Sequence, residues 1–240
     1  MKCPDRTPRI VISGTYCTGK TSLSIALSLA SGIPATHALT MREILPRLFP
    51  SVTLKNCSYA QLLRLGLERF KERINSEALL EAGFISDGCP LQEWLYGSTR
   101  LVTGAYPEEN KFSMLLKKWR NFSKYQDFEM LLAGFENMVK AYTLSHYDIF
   151  FHLPLEFPFV ADGHRPTSEC FRNLSEQRLL ACYQELKIKP VFISGNLENR
   201  LHEVLEFLKI DPIMPIPIAI AQAEKIRTEQ FDQVKLESNA

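Results

Sequence analysis

The stretch Arg9-Ile-Val-Ile-Ser-Gly-Thr-Tyr-Cys-Thr-Gly-Lys-Thr21 decides the fold of this chain. Its apolar run, Ile10 to Ile12, is typical of a fully buried strand. Gly14, four intervening residues and then Gly19-Lys20-Thr21 fit the phosphate-binding pattern G-x-x-x-x-G-K-[ST] at every fixed position. Apolar residues recur at helical spacing from Ser22 to Ala30. Strand, glycine loop and helix therefore follow one another, which is the context that a phosphate-binding loop (P-loop) requires.

The residue types in this loop suit the binding of a nucleoside triphosphate. Gly14 and Gly19 let the backbone turn tightly and bring its N–H groups against phosphate oxygens. The expected helix start at Lys20 adds unpaired N–H groups and the positive end of a helix dipole. Lys20 can reach the β- and γ-phosphates, and the Thr21 hydroxyl is a candidate ligand for Mg²⁺. The predicted nucleotide-binding residues are Gly14, Thr15, Tyr16, Cys17, Thr18, Gly19, Lys20, Thr21 and Ser22. A chance match in a glycine loop is the alternative, and the flanking strand and helix argue against it.

Length and composition narrow the class of protein. A chain of 240 residues predicts one large domain, or a domain over residues 1–209 with a small Pro-rich and helical appendage over 210–240. The formal net charge of +1 gives no reason to expect a nucleic-acid or membrane-surface partner. The six cysteines are scattered without metal-ligand spacing, so a metal cage or a disulfide framework is not expected.

The distribution of apolar residues predicts a cytoplasmic protein. Met1 to Pro8 is polar and no apolar run of signal-peptide type follows it. No run of 18 apolar residues exists, so no membrane span is expected. Free thiols fit a reducing compartment.

Short apolar segments alternate with helical patterns, which indicates an α/β fold with a parallel sheet. The expected strands are Pro8–Ser13, Ala35–Leu39, Gly83–Ser86, Asp148–Leu153 and Pro190–Ser194. The expected helices are Ser22–Ala30, Ser58–Ala82, Leu91–Val102, Asp127–Ser145, Leu174–Lys187, Leu197–Lys209 and Ile218–Val234. In the helix over 58–82, Ser58 is an expected N-cap, and Arg69 and Arg73 belong to the charged residues set against the apolar positions.

Asp87 is the first candidate beyond the loop, because it ends the third expected strand. In open α/β sheets ligands bind beyond the carboxyl ends of the strands. A carboxylate there could hold Mg²⁺ through water or accept the proton of an attacking hydroxyl. Thr21 and Asp87 are therefore the candidate metal residues. The alternative is a helix N-cap, since Pro90 suits a first helical turn.

Arginines after the fourth strand are candidates for a lid. The Pro-rich segment Pro154 to Glu169 is not expected to form a regular helix. Arg165 lies in it and Arg172 follows, and a closing arginine would neutralise charge on a transferred phosphoryl group and exclude water. We therefore predict catalytic roles for Lys20, Asp87, Arg165 and Arg172.

Three residues are candidates for binding an acceptor substrate: Arg42, Asp87 and Trp94. Arg42 follows the second expected strand, and an ordinary charge pair at a helix start is the alternative. Trp94 follows Asp87 closely and could stack on a planar acceptor, with core packing as the favoured alternative.

The P-loop, Phe84-Ile-Ser-Asp87-Gly and the segment Tyr147 to Arg165 carry a family resemblance. The chain resembles the P-loop kinase-like ATPase-domain family that includes the nicotinamide riboside kinase domain of the bacterial NAD regulator and related GTP-binding proteins. The resemblance covers most of residues 8–209. It implies a nucleoside-kinase-like, three-layer P-loop NTPase with a five-stranded parallel sheet in the order 2-3-1-4-5. It also implies a Mg-nucleotide on the P-loop, Asp87 near the transferred phosphoryl, and a lid carrying Arg165 and Arg172.

The leading functional hypothesis is an ATP- and Mg²⁺-dependent phosphotransferase acting on a hydroxyl of a small, nucleoside-like or other metabolite. Acceptor specificity is expected to reside in Met41–Ala82 and Gly104–Tyr125. The alternative is a GTP- or ATP-binding switch without a small-molecule acceptor. No Asn-Lys-x-Asp motif for guanine exists in the chain, although guanine recognition by other contacts stays open. A nucleic-acid-linked ATPase is disfavoured by the near-neutral charge.

Overall fold

The computed structural model describes residues 7–36, 38–53, 56–103, 119, 122–158 and 168–238. Its centre is a parallel sheet in the order β2-β1-β3-β4. The strands are β1 Arg9–Ser13, β2 Phe84–Asp87, β3 Ile149–His152 and β4 Val191–Phe192. The helices are α1 Lys20–Ser31, α2 Met41–Leu48, α3 Tyr59–Ala78, α4 Pro90–Thr103, α5 Phe122–His146, α6 Glu169–Glu185, α7 Leu197–Leu208 and α8 Ile216–Ser238. The predicted α/β class and parallel sheet are confirmed.

The strand count and order differ from the expectation of five strands in the order 2-3-1-4-5. The described residues form four strands, and the segment predicted as the second strand makes only an isolated parallel bridge between Ala35 and Ile85. Two backbone hydrogen bonds support that bridge, from Ile85 N to Pro34 O (2.9 Å) and from Thr36 N to Ile85 O (2.8 Å). Pro34 has no N–H to donate, which limits the ladder on that side of the bridge.

The sheet lies between two layers of helices because side chains alternate along each strand. Ile10 and Ile12 on one face of β1 join the core formed with α1, α7 and α8. Val11 on the other face joins the core formed with α3, α4, α5 and α6. Ala219 and Ala223 of α8 are fully buried in the first core. Both faces of the sheet are thus covered, as a parallel sheet requires.

None of the described helices combines the length and the apolarity that a membrane span requires.

Candidate active site

The P-loop turns on two glycines with left-handed backbone angles. Gly14 has φ of 136° and Gly19 has φ of 90°, and both lie in the region that side chains rarely adopt. A Cβ at Gly14 would lie 2.6 Å from the carbonyl oxygen of Leu153 and 2.8 Å from Oγ1 of Thr18. The loop therefore passes so close to the end of β3 that only glycine fits at position 14.

Helix α1 presents its positive end to the loop. It begins at Lys20 with Gly19 as N-cap, a residue without a side chain to cap the helix, and its first turn contains no acidic residue. The first N–H groups of a helix have no intrahelical acceptor, and the helix dipole adds positive potential there. The start of α1 is therefore built to bind an anion such as a phosphate.

Polar groups of the loop hold its backbone in shape. The Lys20 Nζ donates to the Thr15 carbonyl across the loop (2.5 Å), and Thr18 Oγ1 donates to the same oxygen (3.1 Å). From α4, the Gln92 side-chain amide donates to the Gly14 carbonyl while its oxygen accepts from Cys89 N (2.9 Å). The loop is thus braced both internally and from its β2–α4 neighbour.

Thr21 and Asp87, the predicted metal residues, are in contact. Thr21 Oγ1 donates to Asp87 Oδ2 at 2.5 Å. The other carboxylate oxygen, Asp87 Oδ1, is buried and has no hydrogen-bond partner among the described residues. A hydroxyl beside a carboxylate with an unpaired oxygen is the oxygen donor set that Mg²⁺ prefers, so these residues fit the ion. Within the described part of the chain no group of three His, Cys, Asp or Glu side chains is arranged to hold a metal, so a magnesium ion would also need phosphate and water oxygens.

The backbone of Asp87 is held by an arginine that sequence reasoning missed. Arg73 of α3 is 1% exposed and donates from Nη2 to the Asp87 carbonyl (3.3 Å) and from Nη1 to the Gly88 carbonyl (3.2 Å). On the other side, Gly88 N donates to the Ile12 carbonyl (2.9 Å). The turn that carries Asp87 is therefore fixed to both β1 and α3.

Two carboxylates compensate the buried charge of Arg73. Glu93 Oε1 accepts from Arg73 Nη2 (2.8 Å), and Arg69 Nε lies 3.0 Å from Glu93 Oε2. Glu77 accepts from the Tyr147 hydroxyl (2.8 Å) and the Tyr142 hydroxyl (2.9 Å). Burial and the carboxylate of Glu77 raise the pKa of Tyr147 well above its usual range, so this phenol stays a donor. Arg69 and Arg73, expected on the charged face of their helix, instead belong to an interior network.

The loop side chain Tyr16 connects the phosphate site to a small cavity. Its ring stacks on Tyr96 of α4 with centroids 4.2 Å apart. Tyr96 in turn lines a cavity of about 10 Å³, which is about the size of one water molecule. The cavity lies between α3, α4 and α5, and its lining includes Met41, Leu62, Gly66, Glu93, Tyr96 and Arg100. Burial lowers the pKa of the Arg100 guanidinium.

The remaining predicted site residues are Trp94, Arg172, Arg42 and Arg165, and the structure describes the side chains of the first two. Trp94 is buried in the core between α4 and α5, with Lys140 Nζ 5.5 Å from its ring centroid, an environment that suits packing. Arg172 is buried in the first turn of α6 and donates from Nη2 to the Phe157 carbonyl (2.8 Å). Arg42 lies in α2, but its side chain is outside the described atoms. Arg165 and most of the segment Gly104–Tyr125 lie outside the described residues.

The fold and the loop define a P-loop NTPase with a kinase-like fold. Residues 9–200 match the family model described as AAA domain, and the chain belongs to this family. A deoxyadenosine kinase from M. mycoides, solved with the products dCMP and a flexible dCDP, has a similar structure with a TM-score of 0.54. The two chains are 13% identical, and the match covers 84% of this chain and 98% of the kinase chain. At that identity the likeness concerns the fold alone.

No curated protein matches this chain. The narrower predicted family, with the nicotinamide riboside kinase domain, is not confirmed by these comparisons and stays a prediction.

Proposed function

We propose that this protein is a small-molecule kinase that transfers the γ-phosphoryl group of ATP to a hydroxyl of a nucleoside-like acceptor. The observation that carries the proposal is the 2.5 Å contact between Thr21 Oγ1 in the P-loop and Asp87 Oδ2 at the end of the neighbouring strand. It joins a phosphate-binding element to a carboxylate that can act on a proton.

The P-loop would bind the donor nucleotide. The uncapped start of α1 and the loop N–H groups supply hydrogen bonds to the phosphates, and Lys20 would exchange the Thr15 carbonyl for phosphate oxygens. Mg²⁺ held by the Thr21 hydroxyl, with Asp87 reaching it through water, would neutralise charge on the β- and γ-phosphates. GTP in place of ATP stays an open alternative for the donor.

Asp87 would act on the acceptor hydroxyl. Its Oδ2 is engaged by Thr21, whereas the buried Oδ1 is left to accept a hydrogen bond from the hydroxyl. In the transfer, the acceptor oxygen forms a bond to the γ-phosphorus, the bond from that phosphorus to the bridging oxygen breaks, and the hydroxyl proton passes to Asp87. The products are ADP and the phosphorylated acceptor. A positioned carboxylate of this kind contributes about 10²–10⁴-fold to a rate.

The acceptor would enter between α3, α4 and α5, beside the start of α2. Support comes from the cavity beside Tyr96, which has aromatic and apolar walls and two charged groups, Glu93 and Arg100. Apolar walls with a few polar groups are typical of small-molecule sites. A volume of about 10 Å³ requires this cleft to widen before a nucleoside fits. The similar fold of a deoxyadenosine kinase supports the nucleoside-like class.

A lid would close over the transferred phosphoryl group. The family resemblance assigns Arg165 to this lid. Arg172 is proposed to assist from the start of α6, where its bond to the Phe157 carbonyl anchors the chain that leads out of β3.

The test is thermal unfolding with Mg-ATP, Mg-GTP or no nucleotide, repeated over a panel of nucleosides and sugars, with ADP release as a second readout. A ligand that binds only the folded state raises stability by mass action, about 2.7 kcal/mol at 100 times its Kd. We expect ATP to raise Tm and one acceptor class to raise it further and to accelerate ADP release.

Lys20→Ala should abolish the nucleotide shift, and Lys225→Ala on the exposed face of α8 is the matched control. Equal nucleotide shifts for Lys20→Ala and the wild type would show that the P-loop is not the nucleotide site. A shift with GTP alone, without response to any acceptor, would favour the switch.

A further inference from the structure

Arg200 of α7 contacts the P-loop, and its helix follows β4, which lies on the other side of β1 from the strand that ends in Asp87. It is 3% exposed and donates from Nη1 to the Thr18 carbonyl at 2.6 Å. The same Nη1 would lie 3.3 Å from a Cβ placed on Gly19. The guanidinium therefore packs directly against the Thr18–Gly19 peptide, at the point where the loop becomes α1.

Glu156 holds the other arm of this guanidinium. Arg200 Nη2 donates to Glu156 Oε2 at 2.7 Å, and the backbone N–H of Gly195 donates to the same oxygen at 3.0 Å. The hydrogen bond from Arg200 and the N–H of Gly195 lower the pKa of Glu156, so the carboxylate is the charged partner at neutral pH. The Phe157 ring lies 5.3 Å from the Arg200 Cζ. Arg200 is thus held by the chain after β3 and, through Glu156, by the turn after β4.

The bond to Thr18 has a consequence for phosphate binding. A peptide unit is planar and trans, so its carbonyl and its N–H point in opposite directions. With the Thr18 carbonyl drawn toward Arg200, the Gly19 N–H is directed away from Arg200. Loop N–H groups directed inward are the donors that cradle phosphates in P-loops.

We infer that Arg200 is a positioning residue for the P-loop: together with Glu156 it fixes the Thr18–Gly19 peptide in the orientation that binds phosphate. The inference rests on the proposed nucleotide site. Arg200 acts through the loop backbone and does not itself contact the nucleotide. The Nη1 of Arg200 donates to the Thr18 carbonyl and its Nη2 donates to Glu156. Lysine has no planar group with two fixed donors, so it cannot replace arginine at this position.

The experiment measures Mg-ATP binding by titration calorimetry for the wild type and Arg200→Lys, together with the Tm of each protein without nucleotide. A hydrogen bond from a charged donor is strong enough that its loss weakens binding about ten-fold or more. We therefore expect a Kd at least about ten-fold higher for Arg200→Lys at a temperature where circular dichroism shows it folded. Glu156→Gln keeps an acceptor oxygen but loses the negative charge. We expect its Kd for Mg-ATP to lie between that of the wild type and that of Arg200→Lys.

Arg178→Lys is the matched control, because Arg178 is a half-buried arginine of α6 whose Nη1 donates to Ser98 Oγ (2.8 Å), away from the loop. Its Kd should equal that of the wild type. An unchanged Kd in folded Arg200→Lys, with a Tm decrease like that of Arg178→Lys, would overturn the inference and leave Arg200 as a packing residue. A wild type that binds no nucleotide would overturn the proposed function and this inference with it.

Discussion

Thr21 and Asp87 are 66 positions apart in the chain, yet the hydroxyl of the first donates to the carboxylate of the second at 2.5 Å. The parallel register of β1 and β2, which pairs Ile12 with Asp87, brings both to the carboxyl edge of the sheet. This edge is where ligands bind in open α/β folds. The contact therefore places the P-loop hydroxyl and the candidate base in one site.

Replacing Asp87 by Asn should separate binding from transfer. The amide keeps the size of the side chain but cannot take a proton, so phosphoryl transfer should fall about 10²–10⁴-fold while the Kd for ATP stays near that of the wild type. The measurement is ADP release with the acceptor identified in the panel, beside calorimetric ATP binding. Thr21→Ser retains the hydroxyl and serves as the conservative control. Full activity of Asp87→Asn would reduce Asp87 to a structural role.

Replacing Gly14 or Gly134 by alanine should have opposite effects on the free energy of unfolding. Gly14→Ala forces a Cβ to within 2.6 Å of the Leu153 carbonyl at a left-handed φ, so we expect a loss of about 1–3 kcal/mol in the free energy of unfolding and loss of nucleotide binding. Gly134→Ala lies in α5 with no atom of the described residues within 4 Å of its Cβ. Alanine is the better helix former, so this variant should gain about 0.5–1 kcal/mol. Chemical denaturation measures both, and equal effects would contradict the geometry of the loop.

Arg73 should be among the most sensitive core positions. Arg73→Leu leaves Glu93 with one arginine partner fewer and Glu77 with less compensating charge, and breaking a buried ion pair typically costs about 3–5 kcal/mol. Arg64→Leu makes the same change on the exposed side of α3, where Arg64 lies 5.5 Å from the Phe49 ring centroid. That contact is worth at most about 1 kcal/mol. Urea unfolding of the two variants compares these values, and similar losses would argue against the interior network.

Alkaline pH should destabilise the protein through a buried thiol. Burial raises the pKa of Cys89 from 9.0 to about 12. Between these two pH values the unfolded chain loses the thiol proton while the folded chain retains it. The contribution of this thiol to the free energy of unfolding is therefore fully present below pH 9 and is lost as the pH rises toward 12. The slope is about 1.4 kcal/mol per pH unit for one thiol. Cys89→Ala should have a shallower slope than the wild type in urea unfolding between pH 9 and 10, whereas Cys170→Ala, on an exposed thiol, should not.

The sequence alone identified the elements that depend on short-range patterns. The P-loop with its flanking strand and helix and the N-cap at Ser58 follow from residues close in the chain, and the structure contains them at the expected positions. Asp87 became a candidate because a polar residue ended an apolar run. The prediction of a strand over Ala35–Leu39 was wrong. A few apolar residues indicate an extended segment but cannot reveal that only Ala35 pairs with the neighbouring strand, at Ile85.

Tertiary structure alone decided which charged residues serve the site. In the sequence Arg73 occupies a position typical of a solvated helix face, and Arg200 belongs to an ordinary amphipathic helix. In the structure both side chains are buried, and they donate to the backbone carbonyls of Asp87 and Thr18 respectively. Their partners Glu93 and Glu156 lie 20 and 44 positions away in sequence. A buried charge is stabilised by partner groups that only folding brings together. No local sequence pattern therefore distinguishes a buried, paired arginine from a solvated one. The sequence thus predicted where phosphate would bind, and the packing of α3 and α7 determined what holds the backbone of that candidate site in shape.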